Sequence, residues 1–177
     1  MPASDESLLQ AVGRGDLEAF EELVRRRQAW AWKIAYRFLG QKSEAEDVVQ
    51  EAFIRLMKAA DRYRPSACFT TYFYRIITRL CIDRAKQKKK PALETIPDSA
   101  DDTAPDAATE LIRRETADAV RSALDTLAPN QRMAIVLRYY EELNYRDIAA
   151  VLEITPKAVE RLLSRGRKRL RTILGSR

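Results

Sequence analysis

From position 157 onward the chain carries Lys157, Arg161, Arg165, Arg167, Lys168, Arg169, Arg171 and Arg177 against one acid, Glu160. These side chains donate hydrogen bonds and carry fixed positive charge; they do not cut or form covalent bonds. Their chemistry is the capture of an anion. A helix face built from Thr155, Lys157, Glu160, Arg161, Ser164, Arg165, Lys168 and Arg169 suits the edges of bases and the phosphates of duplex DNA. An arginine can hold guanine with two hydrogen bonds, and lysine neutralises phosphate. A merely solvated helix has similar spacing, but it normally interleaves both signs to gain i,i+4 pairs.

The elements that would position this face follow from the neighbouring residues. Val159, Leu162, Leu163, Gly166 and Leu170 keep helical period on the opposite side. Thr155 can cap that helix, and Pro156 suits its first position, where a missing N–H costs nothing. Upstream, Ile148, Ala149 and Leu152 give a shorter helix one apolar face, and Glu153-Ile154-Thr155 forms the break. A short helix, a tight turn and a longer basic helix describe a helix-turn-helix.

A second basic face precedes it by some distance in sequence. Phe69, Phe73, Ile76, Ile77 and Leu80 form the buried stripe of a helix running towards Lys90. Thr71, Tyr74, Arg75, Thr78, Arg79 and Lys86 occupy its other side. Aromatic and cationic residues sharing a face suit an unpaired strand, because rings stack on bases while cations hold phosphates. Stacking is expected only of Tyr72 and Tyr74. A third face lies on the helix that Ser43 opens, with Glu46 completing a capping box. Ala45, Val48, Val49, Ala52, Phe53, Leu56, Met57 and Ala60 are expected on its core side, and Asp47, Gln50, Glu51, Ile54 and Lys58 stand opposite. An acidic patch with an aliphatic residue inside it is either a solvated surface or a protein-docking one.

The whole-chain bounds agree with binding rather than catalysis. The 177 residues contain no histidine and two cysteines, which excludes a histidine-based triad and a Cys/His zinc finger. Cys81 falls in a helical run and reads as a packed residue. Cys68 lies near a loop, and a disulfide between the two is disfavoured in a reducing compartment. Glycine is scarce, with no phosphate-binding glycine loop, and no cofactor is expected. The apolar share of 46% is enough for a core, and the net charge of +6 favours an acidic partner. No run approaches a membrane span, and the N-terminus lacks a signal-peptide layout, so no membrane insertion and a cytoplasmic location are expected.

Sustained helical periodicity without alternating β-branched runs predicts an all-α protein of two small helical domains. Ser4 or Asp5 starts a first helix, Asp16 caps a second that ends at Gly40, and the first domain covers 1–90. Composition changes at Pro91. Residues 91–108 hold prolines and Glu94, Asp98, Asp101, Asp102 and Asp106 with no lysine or arginine, which reads as a flexible acidic linker. About 20 such residues have an rms reach of roughly 25 Å, enough to let two modules engage separate sites on one duplex. The second domain, 109–177, contains the helix-turn-helix. Its earlier helices are marked by Leu111, Ala117, Val120, Leu124 and Leu127, then by Met133, Ile135, Val136, Leu137, Tyr139 and Tyr140 from Asn130 onward.

In this order, two helical modules on an acidic linker resemble the bacterial sigma factors of the extracytoplasmic-function type. Residues 16–23, DLEAFEEL, are similar to the family's opening helix, and residues 46–53, EDVVQEAF, to its polymerase-docking signature. Residues 69–76, FTTYFYRI, resemble the segment that opens and reads the minus-ten element. Leu127-Ala128-Pro129, Arg132, Leu137-Arg138-Tyr139 and Tyr145-Arg146-Asp147-Ile148-Ala149 resemble the module that reads the minus-thirty-five element. The resemblance turns the Asp47, Gln50, Glu51 and Ile54 face from solvated to docking. It implies a non-catalytic subunit directing transcription initiation, with core RNA polymerase, promoter DNA and an anti-sigma factor as partners. Three positions depart from the family pattern: Tyr72 where tryptophan is frequent, Arg79 where asparagine is frequent, and Glu153 where glycine is common. Two other readings stand beside it: a stand-alone helix-turn-helix regulator of duplex DNA, and a single-strand RNA-binding protein. The first of these leaves the Asp47 face and the Tyr74/Arg75 face without a purpose.

Overall fold

The computed structural model describes residues 3–64, 68–88 and 117–175, and every regular element among them is helical. The expected linker 91–108, the turn expected at Pro65 and Ser66, and Lys89, Lys90, Leu111 and Arg177 lie outside the described residues. Ser4 caps α1 (Asp5–Gly13) through a hydrogen bond from Ser7 N–H. Asp16 caps α2 (Leu17–Leu39) through Ala19 N–H, and Gly40, at φ 75°, ends it in the left-handed region that favours glycine.

The third helix departs from expectation. α3 (Lys42–Ala59) begins before Ser43, with Gln41 as its N-cap and no side-chain cap. Gly40 turns the chain so sharply that only Gly40 and Gln41 separate the helices, and the α3 ladder starts at once with Ala45 N–H on Gln41 O. Ser43 is therefore inside the first turn, where the S-x-x-E spacing has no capping task. A 3₁₀ turn (Ala60–Arg62) and an extended Tyr63 follow.

α4 (Phe69–Lys88) closes the first bundle against α2 and α3. Its buried stripe meets an aromatic cluster: Phe73 lies 5.0 Å from the Phe53 ring, 5.6 Å from Phe69 and 5.8 Å from Trp30. Trp32, on the other side of α2, stacks on Tyr36. Cys81 is buried on this helix, and burial pushes its thiol well above the ordinary range; Cys68 is exposed.

The start of α4 is held from a distance. Phe69 N–H donates to Glu6 Oε1 at 2.9 Å, so a side chain on α1 occupies one of the orphan donors at the N-terminus of α4. That bond is the largest cause of a lowered Glu6 pKa. A carboxylate with a depressed folded pKa stabilises fully above its unfolded value, here 4.5, and loses that contribution as pH falls through the folded value. Glu6→Ala should therefore cost about 0.5–2 kcal/mol at pH 7, the usual worth of a cap. Thermal melts should also show that the variant and wild type converge as pH drops below the carboxylate range.

The second bundle holds α5 (described over 117–125), α6 (Pro129–Tyr139), α7 (Tyr145–Leu152) and α8 (Pro156–Leu174). α6 starts at Pro129 rather than Asn130, with the proline at the first position and Ala128 as the cap residue. Asn144 caps α7 by accepting from Arg146 and Asp147 N–H. Glu153 ends α7 at φ 55°, ψ 43°, and Thr155 caps α8 through Ala158 N–H with Pro156 next. The left-handed conformation costs a non-glycine residue about 1–2 kcal/mol, and Glu153 bears it. Gly166 sits where α8 crosses α6: a β-carbon there would lie 3.2 Å from Ile135 Cγ1.

Buried side chains of both bundles form one continuous core among the described residues. α4 packs on α6 and α7, and α2 packs on α6. Two modules expected to reach separate sites through a flexible linker are here in contact.

Candidate nucleic-acid and polymerase interfaces

α8 owes its orientation to Val159, Leu163 and Gly166, which are buried. With that stripe turned inward, Thr155, Lys157, Glu160, Arg161, Ser164, Arg165, Lys168 and Arg169 are all exposed. Thr155 and Pro156 fix where the helix starts, so the register of the cationic face is set by its cap. Arg167 stands off to one side, its pKa raised chiefly by a hydrogen bond with Tyr139.

The α4 face is arranged differently. Arg79 and Lys86 are exposed, while Thr71, Tyr72 and Arg75 are half-buried. Tyr72 packs on Tyr63 at 5.4 Å, and burial raises its hydroxyl pKa. Tyr74 and Thr78, expected on an open face, are only 5% and 1% exposed. The cause is tertiary: Tyr74 lies edge-on to Trp30, and its hydroxyl donates to Glu141 Oε2 at 3.0 Å. Burial first, and the Glu141 charge second, push the Tyr74 pKa far up. Thr78 Oγ1 turns back to Arg75 O within its own helix.

On α3, Asp47, Gln50, Glu51 and Ile54 do come together, lining one depression of about 460 Å³ against α4. Asp47 pairs with Arg84 at 2.6 Å, and Glu51 with Arg55 at 2.7 Å. Gln50 and Ile54 also border an apolar groove of about 580 Å³ between α2 and α3, floored by Phe20, Val24, Trp32 and Phe53. Sequence spacing gives the acidic rim; the groove beside it, which needs two helices to form, is new.

Three residues outside the expected set join the two modules. Arg132, 7% exposed, donates to Phe38 O and Asp125 O at 3.0 Å and pairs with Asp125 at 2.8 Å. Burial lowers its pKa, and Asp125 opposes that shift. Glu141 accepts from Tyr74 and from Arg37, and Arg121 sits over the Tyr36 ring. Arg132 stands in the motif set quoted above, but its partner lies 94 residues away and nothing in the local pattern points to it.

With this geometry, comparison with known proteins is decisive. Residues 23–90 match the Sigma-70 region 2 family, and residues 117–170 match Sigma-70, region 4. The ECF RNA polymerase sigma factor SigW of Bacillus subtilis is 32% identical over 92% of this chain and 92% of its own length. The chain belongs to the extracytoplasmic-function RNA polymerase sigma factors.

The ECF RNA polymerase sigma factor SigE of Mycolicibacterium smegmatis is 34% identical over 89% of this chain, which spans 62% of that relative. The solved structure of CnrH in complex with the cytosolic domain of CnrY has a TM-score of 0.71 at 26% identity, covering 98% of this chain and 99% of CnrH. This sigma factor is thus a non-enzymatic transcription initiation factor that works with RNA polymerase at promoters. No helix among its described residues is long and apolar enough to cross a membrane.

Proposed function

We propose that this sigma factor divides promoter recognition between its modules: 1–90 docks on core polymerase and traps the minus-ten element, 109–177 reads the minus-thirty-five element, and 91–108 is the tether. The observation that carries this is the wholly exposed α8 face, whose cations project from one capped helix while its apolar stripe is buried. Arg161 and Arg165 meet base edges, Lys157, Lys168 and Arg169 meet phosphates, and Thr155, Glu160 and Ser164 complete the contact. On α4, Thr71, Tyr72, Tyr74, Arg75, Thr78, Arg79 and Lys86 hold the unpaired strand.

Asp47, Gln50, Glu51 and Ile54 are the polymerase contact, supported by their sharing one depression. Asp47→Ala should weaken core-polymerase binding by about five- to thirtyfold, the range of a 1–2 kcal/mol interface residue. The fold should stay intact, because the exposed Asp47–Arg84 pair contributes at most about 1 kcal/mol. Unaltered affinity in a titration of labelled protein with core polymerase removes the docking assignment.

The family resemblance supports a cytoplasmic factor held by an anti-sigma partner that covers both modules, and the similar CnrH is itself bound by another protein, the cytosolic domain of CnrY. The direct test is reconstitution: core polymerase plus this protein should yield run-off transcripts from discrete start sites that core enzyme alone does not use. If no template gives such a product, the division of labour falls.

A further inference from the structure

Each module sends an arginine into the end of a helix on the other. Arg75 Nε, on α4, donates at 2.8 Å to Ala150 O, one of the last carbonyls of α7. Arg132, on α6, donates at 3.0 Å to Phe38 O, one of the last carbonyls of α2. Helix C-termini present unpaired carbonyls and partial negative charge, so both arginines meet the sites that favour them.

Two acids add to this. Glu141, with a side chain only 8% exposed, receives Tyr74 and Arg37 together. Glu153, the residue in the left-handed turn, forms an ion pair with Arg79.

We propose that these contacts are a latch: in the free protein the second module covers the strand-reading face of α4 while leaving the α8 face open. The claim rests on the assignment of that α4 face to the unpaired strand. Tyr74, Arg75 and Arg79 cannot serve both occupants, because the Tyr74 hydroxyl and the two guanidinium groups are engaged by Glu141, Ala150 and Glu153. Free protein therefore binds upstream duplex but not minus-ten strand, and the modules must part before the strand is taken. Closure lowers apparent strand affinity in proportion to the open fraction.

The test is the double variant Glu141→Ala, Glu153→Gly. Loss of Glu141 leaves the Tyr74 hydroxyl unpaired only in the closed arrangement, and glycine suits the turn at Glu153, so the second module stays folded. Neither acid is assigned a DNA contact. Small-angle scattering should show the full-length variant expanding by a few ångström in radius of gyration. Its affinity for a single-stranded minus-ten oligonucleotide should rise about tenfold, as expected if a tenth of the wild type is open.

A charge-matched control, Glu18→Gln with Glu21→Gln, alters two exposed acids away from the contact and should do neither. No expansion overturns the latch and leaves the strand-reading assignment standing. Expansion without tighter strand binding overturns the masking, and with it the role given to the α4 face. An equal gain in the control reduces the effect to bulk charge and overturns the proposal.

Discussion

Phe73→Ala should destabilise the protein by about 3–5 kcal/mol, the cost typical of deleting a fully buried aromatic ring. Phe73 is 0% exposed and shares ring contacts with Trp30, Phe53 and Phe69, so α2 and α3 both converge on it. The loss has two parts: the ring's transfer free energy and the cavity left among rigid neighbours that cannot all move inward. For a domain whose net stability is about 5–15 kcal/mol, that is a large fraction.

The functional consequence follows from where Phe73 lies. It anchors α4 between α2 and α3, and α4 carries the proposed strand contacts on its other side. Urea unfolding should show the midpoint falling sharply, and minus-ten strand binding should fail first. Upstream duplex binding should persist longer, since Val159 and Leu163 hold α8 against a different set of residues. A loss below about 1 kcal/mol would mean that the cluster closes over the gap and that Phe73 is not what fixes α4.

What could be read from the chain alone was what local chemistry decides. Thr155 with Pro156, Asp16, Ser4 and Gly40 each set a helix end through their own backbone or side chain, and each lies where its residue type predicts. The exposed α8 face follows from a period of 3.6 and nothing else. Ser43 and Glu46 form an equally good local pattern, yet the helix begins before them because Gly40 leaves no room for a longer link. Local rules name a possible cap; tertiary geometry decides whether it is used.

The misplaced residues share one cause. Tyr74 and Thr78 have the spacing of an outward face; Tyr74 is buried between Trp30 of its own module and Glu141 of the other, and α6 and α7 pack on the helix that carries both. Glu6 capping α4 and Arg132 reaching Phe38 are contacts across 63 and 94 residues. Periodicity carries no information about such pairs.

Duplex binding by the second module should fall by about 40- to 500-fold when salt rises from about 50 to 200 mM. The limits come from counting neutralised phosphates, each contributing about −0.9 to the slope of log affinity against log salt. If Lys157, Arg161, Arg165, Lys168 and Arg169 all meet phosphate, the slope is about −4.5, and a fourfold rise in salt gives the larger figure. With Arg161 and Arg165 on base edges, three phosphates remain, the slope is about −2.7, and the smaller figure applies. The measured slope thus tells how the exposed cations are divided between positioning and readout. Arg161→Ala separates the cases at one residue. As a base contact, its loss should remove roughly 1–3 kcal/mol of preference at one upstream position and leave the slope nearly intact. As a phosphate contact, its loss should weaken all sequences alike and flatten the slope by about 0.9. A variant that changes neither slope nor preference would place Arg161 off the DNA altogether. The register that Thr155 and Pro156 impose on α8 would then present a different face to the groove.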